Sequence, residues 1–212
     1  MVHVYAADLS LLPDPVLRPE LMEMLPKERQ QKIQRRLQKK ARVQSLGAGL
    51  LLNAVLPKYK VQPDALFRNE HGKPEIPGVH FNLSHSGDLV VCAVSEKPVG
   101  CDVEKLRKAP ERFAGHFFCE NERNYLKAAA DDKYDETFFR LWTLKESYMK
   151  MTGEGMSLPL DAFEVMIGEE IHILRDGKKQ PCFIKEYTTL GYQVTVCAKE
   201  QGFADLIWEN LV

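Results

Sequence analysis

The sequence predicts an α+β protein made of two similar α/β halves, and three observations lead to this fold class. A strand pattern, helical patterns, a polar loop and further strand patterns follow in this order roughly twice along the chain. The apolar strand pattern at Val90–Ala93 is loosely repeated at Val194–Ala198. The chain has 212 residues, which is long for one small domain and short for two ordinary ones. We therefore expect two halves, residues 1–105 and 106–212, that share a cleft.

The first half begins with a strand pattern at Val2–Ala7 and continues with helical periodicity from Glu20 to Pro57. Proline cannot continue a helix, so we expect the second helix to end at Pro57. Residues 69–78 are rich in turn formers and predict a loop. Three strand patterns follow, at Val79–Leu83, Leu89–Val94 and Val99–Glu104.

The second half opens with a charged connector, Lys105–Pro110. Helical patterns follow at Glu120–Ala130 and Asp135–Thr152, and Gly153 is a typical residue to end the longer helix. From Phe163 onward, apolar and polar residues alternate as they do in strands. Two tight turns separate these strands, at Asp176–Gly177 and at Leu190–Tyr192.

Composition and charge exclude several classes of protein. The 29 basic and 30 acidic residues leave a net charge of −1, which gives no electrostatic basis for nucleic-acid binding. The longest apolar run, Leu46–Leu52, is far shorter than the roughly 20 residues that a membrane helix needs. The five cysteines contain no C-x-x-C pair, and the N-terminus lacks the apolar core of a signal peptide. We therefore expect a cytoplasmic protein without a disulfide framework, a nucleic-acid partner or a membrane anchor. We also expect it to be a monomer.

Two acidic residues, Asp102 and Glu104, alternate along the strand predicted at Val99–Glu104. Residues two apart in a strand point to the same face, with Cα atoms about 6.6 Å apart. Their carboxylates could converge on one hard cation such as Mg²⁺, which prefers a few carboxylates together with water and substrate phosphates. The alternative is the polar outer face of an edge strand.

An acidic and a basic residue, Glu146 and Lys150, are four residues apart in the helical pattern of Asp135–Thr152, which places both on one face. A surface ion pair would explain this spacing equally well. The helix is apolar on more than one side, however, and charged residues avoid burial unless they are paired or functional. Both a functional site and a surface salt bridge therefore stay open.

Two loops carry small or charged groups that suit a phosphate. Ser84 and His85 end a strand pattern and offer hydrogen-bond donors for phosphate oxygens, although a capped turn is the alternative. Lys73 and Pro74 are expected to form a rigid turn that presents one lysine. By itself, such a turn is common in proteins and does not indicate a binding site.

A basic segment precedes both loops. Between Lys27 and Arg42 there are eight basic residues and one acidic residue, Glu28. Such a run is either a solvated helix face or a docking site for phosphate or for an acidic partner.

Together, these segments resemble the motifs of the 4′-phosphopantetheinyl transferases. The resembling sequences are HGKP (71–74), FNLSHSGD (81–88), VGCDVE (99–104) and LWTLKESYMKMTGEGMSLPLDAFEV (141–165). The likeness is to the larger pseudodimeric branch, the surfactin-synthetase-activating type, in which two similar halves related by a pseudo-twofold axis are fused in one chain. It covers roughly Gly72–Val165, and its G-x-D-x-E and W-x-x-K-E-x-x-x-K elements are highly specific.

The resemblance implies an enzyme that transfers the 4′-phosphopantetheine group of coenzyme A to a serine of an apo acyl or peptidyl carrier protein and releases 3′,5′-ADP. Coenzyme A would lie in the cleft between the halves. The implied cofactor is Mg²⁺, with Mn²⁺ as an alternative, held by Asp102, Glu104 and Glu146. Glu146 would also accept the proton of the carrier serine, and Lys150 would neutralise charge on the transferred phosphoryl group.

The resemblance also implies contacts with coenzyme A, from Lys73, Pro74, Ser84, His85 and Arg42. The sequence departs from the family pattern near Arg42. The family often carries an arginine close before a small-residue helix start, where this chain has Val43–Gly47, and Arg42 is the nearest candidate. Glu122 matches a further acidic position of the family, to which we assign no role.

Two other functions compete with the transferase. One is a module that binds coenzyme A or a carrier protein without catalysis, but the chain keeps every implied catalytic side chain: Asp102, Glu104, Glu146 and Lys150. The other is a Mg²⁺-dependent phosphatase or nuclease that uses the same carboxylates. The sequence offers it neither a second acidic cluster for another metal nor a basic charge balance for nucleic acid.

Overall fold

The computed structural model describes residues 1–68, 74–110, 113–189 and 191–211. The helices are α1 (Pro19–Glu23), α2 (Lys27–Gln34), α3 (Lys39–Val55), α4 (Ala114–Phe117), α5 (Glu120–Lys127) and α6 (Tyr134–Thr152). The strands are β1 (Val2–Asp8), β2 (Phe67–Arg68), β3 (Pro74–Glu75), β4 (His80–Ser86), β5 (Leu89–Ser95), β6 (Val99–Lys105), β7 (Glu164–Ile167), β8 (Ile171–Arg175), β9 (Lys178–Lys179), β10 (Phe183–Thr189), β11 (Tyr192–Ala198) and β12 (Phe203–Trp208).

Two sheets form the body of the protein. The first has the strand order β12-β1-β5-β4, and the second has the order β10-β11-β6. β12 runs parallel to β1, and the other neighbouring strands are antiparallel. The C-terminal strand β12 thus completes the sheet of N-terminal strands, while β6 joins the sheet of β10 and β11. Each sheet therefore contains strands from both sides of the predicted boundary between residues 105 and 106. The division of the chain into two halves at this boundary stays a prediction.

The alternation of side chains along the strands builds the layers of the fold. In β1, Val4 and Ala6 pack toward β6 and β11 in one apolar cluster. Tyr5 and Ala7 face the other way and pack with residues of α3. On the far side of the second sheet, α6 packs against β6 and β11. The layer order is α3, first sheet, second sheet and α6, and the predicted α+β class is confirmed.

The helical stretch predicted from Glu20 to Pro57 is divided into three helices. Pro26 lies before the first residue of α2, and α3 begins only at Lys39. α3 ends at Val55, and Pro57 lies in a following 3₁₀ turn, Leu56–Tyr59. Among the described residues, no helix combines the length and the apolar character that crossing a bilayer requires.

The turns agree with the sequence where they are described. Asp176 and Gly177 take left-handed conformations with φ of 53° and 70°. Gly153 ends α6 with φ of 76°, a conformation that glycine adopts readily. In the loop predicted at residues 69–78, Pro74 and Glu75 form β3, and residues 69–73 lie outside the described residues. Leu190, in the second predicted turn, also lies outside them.

The absence of a side chain at Gly100 lets β6 and α6 approach each other closely. A Cβ atom at this position would collide with the carbonyl oxygen of Ser147 and with the amide nitrogen of Met151. Both are backbone atoms of α6, so they could not rotate away as a flexible side chain can. Gly100 therefore brings the backbone of α6 onto the strand that carries Asp102 and Glu104.

Side chains of β4 join the two sheets where β4 meets β6. At every second residue of β4, a side-chain oxygen accepts a backbone N–H of β6. The bonds run from Cys101 N–H to Asn82 Oδ1 (2.9 Å), from Val103 N–H to Ser84 Oγ (3.3 Å) and from Lys105 N–H to Ser86 Oγ (3.1 Å). These three N–H groups of β6 are thus satisfied without a further strand.

Candidate active site

Asp102 lies in the middle of β6 and is 4% exposed. Its Oδ1 accepts a hydrogen bond from Ser84 Oγ at 2.8 Å and one from Lys150 Nζ at 2.6 Å. Its Oδ2 is buried and has no hydrogen-bond partner. Burial raises the pKa of the Asp102 carboxyl, although Lys150 acts in the opposite direction. One oxygen of this carboxylate is therefore occupied, and the other could bind a further group.

Glu104 lies two residues further along β6, on the same face. Its Oε2 accepts hydrogen bonds from Ser86 Oγ at 2.8 Å and from Arg107 Nη1 at 2.9 Å. The guanidinium of Arg107 also stacks over the ring of Phe139, 4.7 Å from its centroid. The predicted common face of Asp102 and Glu104 is present, and both carboxylates are held by hydroxyl groups from β4.

Glu146 comes to the same place from α6. Its side chain is half-buried, and this burial raises the pKa of its carboxyl to about 6. Lys150 lowers this pKa, while the negative charges of Asp102 and Glu104 raise it. The three predicted carboxylates therefore lie close enough to interact electrostatically, one from α6 and two from β6.

Lys150 lies one turn after Glu146 in α6 and bonds directly to β6. Its ammonium is 2.6 Å from Asp102 Oδ1 and 3.2 Å from Ser84 Oγ. Burial opposes the charge of this lysine, yet the neighbouring Asp102 and Glu146 carboxylates raise its pKa above the ordinary value. Lys150 is therefore a cation held between the helix and the strand, and not half of an exposed surface pair.

His85 lies beside this group on β4 and is surrounded by positive charge. The residue is partly accessible to solvent, but protein atoms surround its ring. Their desolvating effect disfavours the protonated ring and lowers the pKa of His85. The positive charges of Lys150, Arg36 and Lys32 lower this pKa further. Such a concentration of cations favours an anion between them. Two residues of the predicted basic segment, Arg36 and Lys32, are thus close enough to His85 to lower its pKa.

Arg42 has a partner within the protein. Its Nε donates to Asp14 Oδ1 at 2.9 Å, and its Nη1 donates to the carbonyl oxygen of Leu37 at 2.7 Å. Hydrogen bonding to Arg42 lowers the pKa of Asp14 to about 2. These contacts tie the segment before α3 to the loop after β1, and the predicted contact of Arg42 with coenzyme A stays a prediction.

Lys73 lies outside the described residues, while Pro74 begins β3. The predicted contacts of these two residues with coenzyme A also remain predictions. Ser84 is buried, and its single hydroxyl proton is directed at Asp102. The same proton cannot be donated to a phosphate oxygen at the same time.

Sequence reasoning missed a buried ion pair behind this site. Lys145 Nζ lies 2.6 Å and 2.7 Å from the two carboxylate oxygens of Glu122, and it also donates to the carbonyl oxygen of Phe163 at 2.8 Å. Glu122 further accepts the backbone N–H groups of Cys119 and Val165. The sequence offered two signals, a lysine among the apolar residues of α6 and the match of Glu122 to an acidic position of the family. Neither signal identified the two residues, 23 positions apart, as partners.

The acidic residues fit a cation only if another molecule completes the site. Among the described residues, no three His, Cys, Asp or Glu side chains are already arranged as a set of metal ligands. Mg²⁺ does not need such a set, because it commonly binds one or two carboxylates together with water and substrate phosphates. The unpartnered Oδ2 of Asp102 and the mutual repulsion of the carboxylates suit a cation bound in this way.

Comparison with known proteins identifies a family. The family model described as the 4′-phosphopantetheinyl transferase superfamily matches residues 98–197, which include β6 and α6. A 4′-phosphopantetheinyl transferase of Bacillus subtilis is 39% identical over 169 residues, covering 76% of this chain and 75% of the relative. The 4′-phosphopantetheinyl transferase Sfp of Bacillus subtilis strain 168 is 34% identical over 193 residues, covering 87% and 86%. The 4′-phosphopantetheinyl transferase gsp of Aneurinibacillus migulanus is 38% identical over 178 residues, covering 81% and 75%.

These relatives match most of this chain and most of their own length, and the matched region holds Asp102, Glu104, Glu146 and Lys150. The chain therefore belongs to the 4′-phosphopantetheinyl transferase superfamily.

Proposed function

We propose that this chain transfers the 4′-phosphopantetheine group of coenzyme A to a serine of an apo acyl or peptidyl carrier protein, giving the holo carrier protein and 3′,5′-ADP. The observation that carries the proposal is the convergence of Asp102 and Glu104 from β6 with Glu146 and Lys150 from α6. The relatives are named as transferases of the same 4′-phosphopantetheinyl group.

Asp102, Glu104 and Glu146 would hold Mg²⁺, or Mn²⁺ in its place, together with phosphate oxygens of coenzyme A. A bound cation neutralises negative charge on the phosphates and on the carboxylates. Two observations support this assignment. Asp102 Oδ2 is buried without a partner, and the other two carboxylates contribute to the raised pKa of Glu146.

Glu146 would accept the proton of the carrier serine. A base with a pKa of about 6 is ionised at neutral pH and is more basic than an ordinary glutamate. As the proton leaves, the serine oxygen bonds to the β-phosphorus of coenzyme A. The bond from this phosphorus to the bridging oxygen breaks, and 3′,5′-ADP departs with the electron pair. Lys150 would stabilise the negative charge that develops on the phosphoryl oxygens.

Coenzyme A would bind along the cationic surface beside His85. Lys32 and Arg36 of the basic segment lie near this histidine and could meet phosphate groups. Lys73, Pro74 and Arg42 are further proposed contacts on the basis of the family resemblance. The nucleotide would then lie on the side of residues 1–105, and residues 106–212 would supply the catalytic helix.

The proposed partners are coenzyme A and a carrier protein, without nucleic acid or membrane. We propose a monomer in the cytoplasm that activates carrier proteins of secondary metabolism. Peptide synthetase, polyketide synthase and fatty-acid carriers all present a serine that could receive the group.

Mass spectrometry of intact carrier proteins tests the transfer directly. The purified chain is incubated with coenzyme A, Mg²⁺ and each of several apo carrier proteins of these three kinds. We expect some carriers to gain the mass of one phosphopantetheine, and the matched carriers with alanine in place of the acceptor serine to gain nothing. If none of the carriers gains this mass while a known transferase modifies all of them, the proposed function is wrong.

A further inference from the structure

The acidic side chains of β6 are paired one to one with serines of β4. Ser84 Oγ donates a hydrogen bond to Asp102 Oδ1, and Ser86 Oγ donates one to Glu104 Oε2. Both donor–acceptor distances are 2.8 Å. The serines are two residues apart in β4, as the carboxylates are in β6. The same contact therefore occurs twice along the two strands.

Each serine also accepts a backbone N–H of β6. The N–H of Val103 bonds to Ser84 Oγ at 3.3 Å, and the N–H of Lys105 bonds to Ser86 Oγ at 3.1 Å. A hydroxyl has one donor and two acceptor positions, while an ionised carboxylate only accepts. The backbone thus fixes the serine oxygen, and the hydroxyl proton points at the carboxylate.

This arrangement determines which carboxylate oxygen remains available. In Asp102, Oδ1 receives Ser84 and Lys150, and Oδ2 is left buried without a hydrogen-bond partner. A buried oxygen in this condition costs free energy until another group binds it. A hydrogen bond to one oxygen also fixes the rotation of the carboxylate, as the outer hydrogen bonds of metal ligands commonly do.

We propose that Ser84 and Ser86 are positioning residues that hold the carboxylates of Asp102 and Glu104 in place for a divalent cation. The proposal rests on the metal role given to these carboxylates in the proposed function. The serines act through the carboxylates and not on the reacting atoms. For Ser84 this role replaces the contact with coenzyme A that the family resemblance implies.

Asn82 provides a control within the same row of β4 side chains. Its Oδ1 accepts the N–H of Cys101 at 2.9 Å, so it joins β4 to β6 as the serines do. The residue of β6 that precedes Asp102 by two positions is Gly100, which has no side chain to orient. Asn82 thus contributes to the contact between the sheets without orienting a carboxylate.

Binding of Mn²⁺ to the full chain tests the proposal, with the electron paramagnetic resonance signal of free Mn²⁺ as the readout. The titrations are made with and without coenzyme A. We expect Ser86→Ala and Ser84→Ala each to weaken Mn²⁺ binding about 10–100-fold, the usual cost of losing a hydrogen bond to a metal ligand. Ser86→Thr keeps the hydroxyl and should restore most of the affinity. Asn82→Ala should lower the melting temperature and leave the Mn²⁺ affinity unchanged.

Circular dichroism and the melting temperature of each variant show whether it is folded. Equal Mn²⁺ affinities for wild type and Ser86→Ala would overturn the proposal and leave the metal role intact. An equal loss in Asn82→Ala would also overturn it, because sheet contact alone would then explain the effect. If Ser84→Ala raises the Michaelis constant for coenzyme A at unchanged Mn²⁺ affinity, Ser84 is a substrate contact and the proposal fails for it. A wild-type chain that binds no Mn²⁺ even in the presence of coenzyme A would remove the metal role and this proposal together.

Discussion

Lys145 and Glu122 form an ion pair that is shielded from solvent on the side of α6 away from β6. The side chains are 1% and 0% exposed, and the ammonium lies 2.6 Å and 2.7 Å from the two carboxylate oxygens. Lys145 is the residue next to Glu146, so the pair helps to fix the rotation of the helix that presents Glu146 to β6. Glu122 also binds the N–H of Val165, which connects α6 to α5 and β7.

We predict that Lys145→Met destabilises the protein by about 3–5 kcal/mol, because Glu122 would be left as an unpaired buried charge. Unfolding in urea, followed by circular dichroism, measures the change. The partly exposed pair of Arg175 and Glu154 supplies the control, and Glu154→Gln should cost at most about 1 kcal/mol. The double variant Lys145→Met, Glu122→Leu should recover part of the loss. A Lys145→Met protein as stable as wild type would contradict the structural role of the pair.

Short-range spacing predicted much of the site. The period of two in a strand placed Asp102 and Glu104 on one face, and the spacing of four in a helix placed Glu146 and Lys150 together. Both relations depend on residues within one element. The apolar surroundings of α6 also agree with the burial of Lys150 against Asp102.

Contacts between distant segments could not be predicted in this way. The partner of Arg42 is Asp14, 28 residues earlier, and neither residue type indicates the other in the sequence. The same holds for β12, which returns to β1 from the far end of the chain. Ser84 was predicted from its chemistry as a phosphate donor, whereas its proton is used by Asp102. Which of several possible acceptors a hydroxyl binds depends on tertiary packing.

A second prediction concerns Gly100, whose missing side chain lets α6 lie against β6. Gly100→Ala introduces a methyl group that collides with backbone atoms of Ser147 and Met151, so the helix must shift. We expect a loss of at least about 1–3 kcal/mol in the free energy of unfolding and a weaker activity of the folded fraction. Gly168→Ala is the matched control, since the nearest atom to its added methyl group would be 3.9 Å away. Equal stability of the two variants would show that β6 and α6 are not in such close contact.

A third prediction concerns the pH dependence that Glu146 confers. Its pKa of about 6 lies above the ordinary 4.5, so the folded protein binds this proton more tightly than the unfolded chain. The stability that this group contributes is therefore present in full well below pH 4.5, and about 2 kcal/mol of it is lost as the pH rises through 6. The activity should change in the opposite direction, because the base must be ionised. Bound Mg²⁺ favours the ionised carboxylate, so kcat/KM should rise with pH to a plateau that is reached below the pKa of about 6 of the metal-free protein.

Glu146→Gln separates these two effects. The variant should lose about 10²–10⁴-fold in the rate of transfer. In EDTA at pH 8 it should nevertheless be as stable as wild type or more stable, because it carries no buried charge. Urea unfolding from pH 4 to pH 8 and transfer rates over the same range provide both measurements. Near-normal transfer by Glu146→Gln would exclude this residue as the base.

The last prediction concerns the discrimination of coenzyme A from dephospho-coenzyme A, which lacks the 3′-phosphate. His85 lies among Lys150, Arg36 and Lys32, and its surroundings lower its pKa, so the ring is mostly neutral at pH 7.5 in the free protein. A bound phosphate would favour the protonated ring and raise this pKa. The preference for coenzyme A should then shrink as the pH rises from 6 to 8, because protonating the ring becomes more costly.

His85→Ala should remove both the contact and its pH dependence. A charge-assisted hydrogen bond contributes roughly 1.5–3 kcal/mol, so the Michaelis constant for coenzyme A should rise about tenfold or more. The constant for dephospho-coenzyme A should change little, since the contact is absent with that donor. His80→Ala, at the exposed start of the same strand, should leave both constants unchanged. If His85→Ala slows transfer from both donors equally at every pH, the histidine does not contact the 3′-phosphate. The cations around it would then have to bind the pyrophosphate, which both donors share.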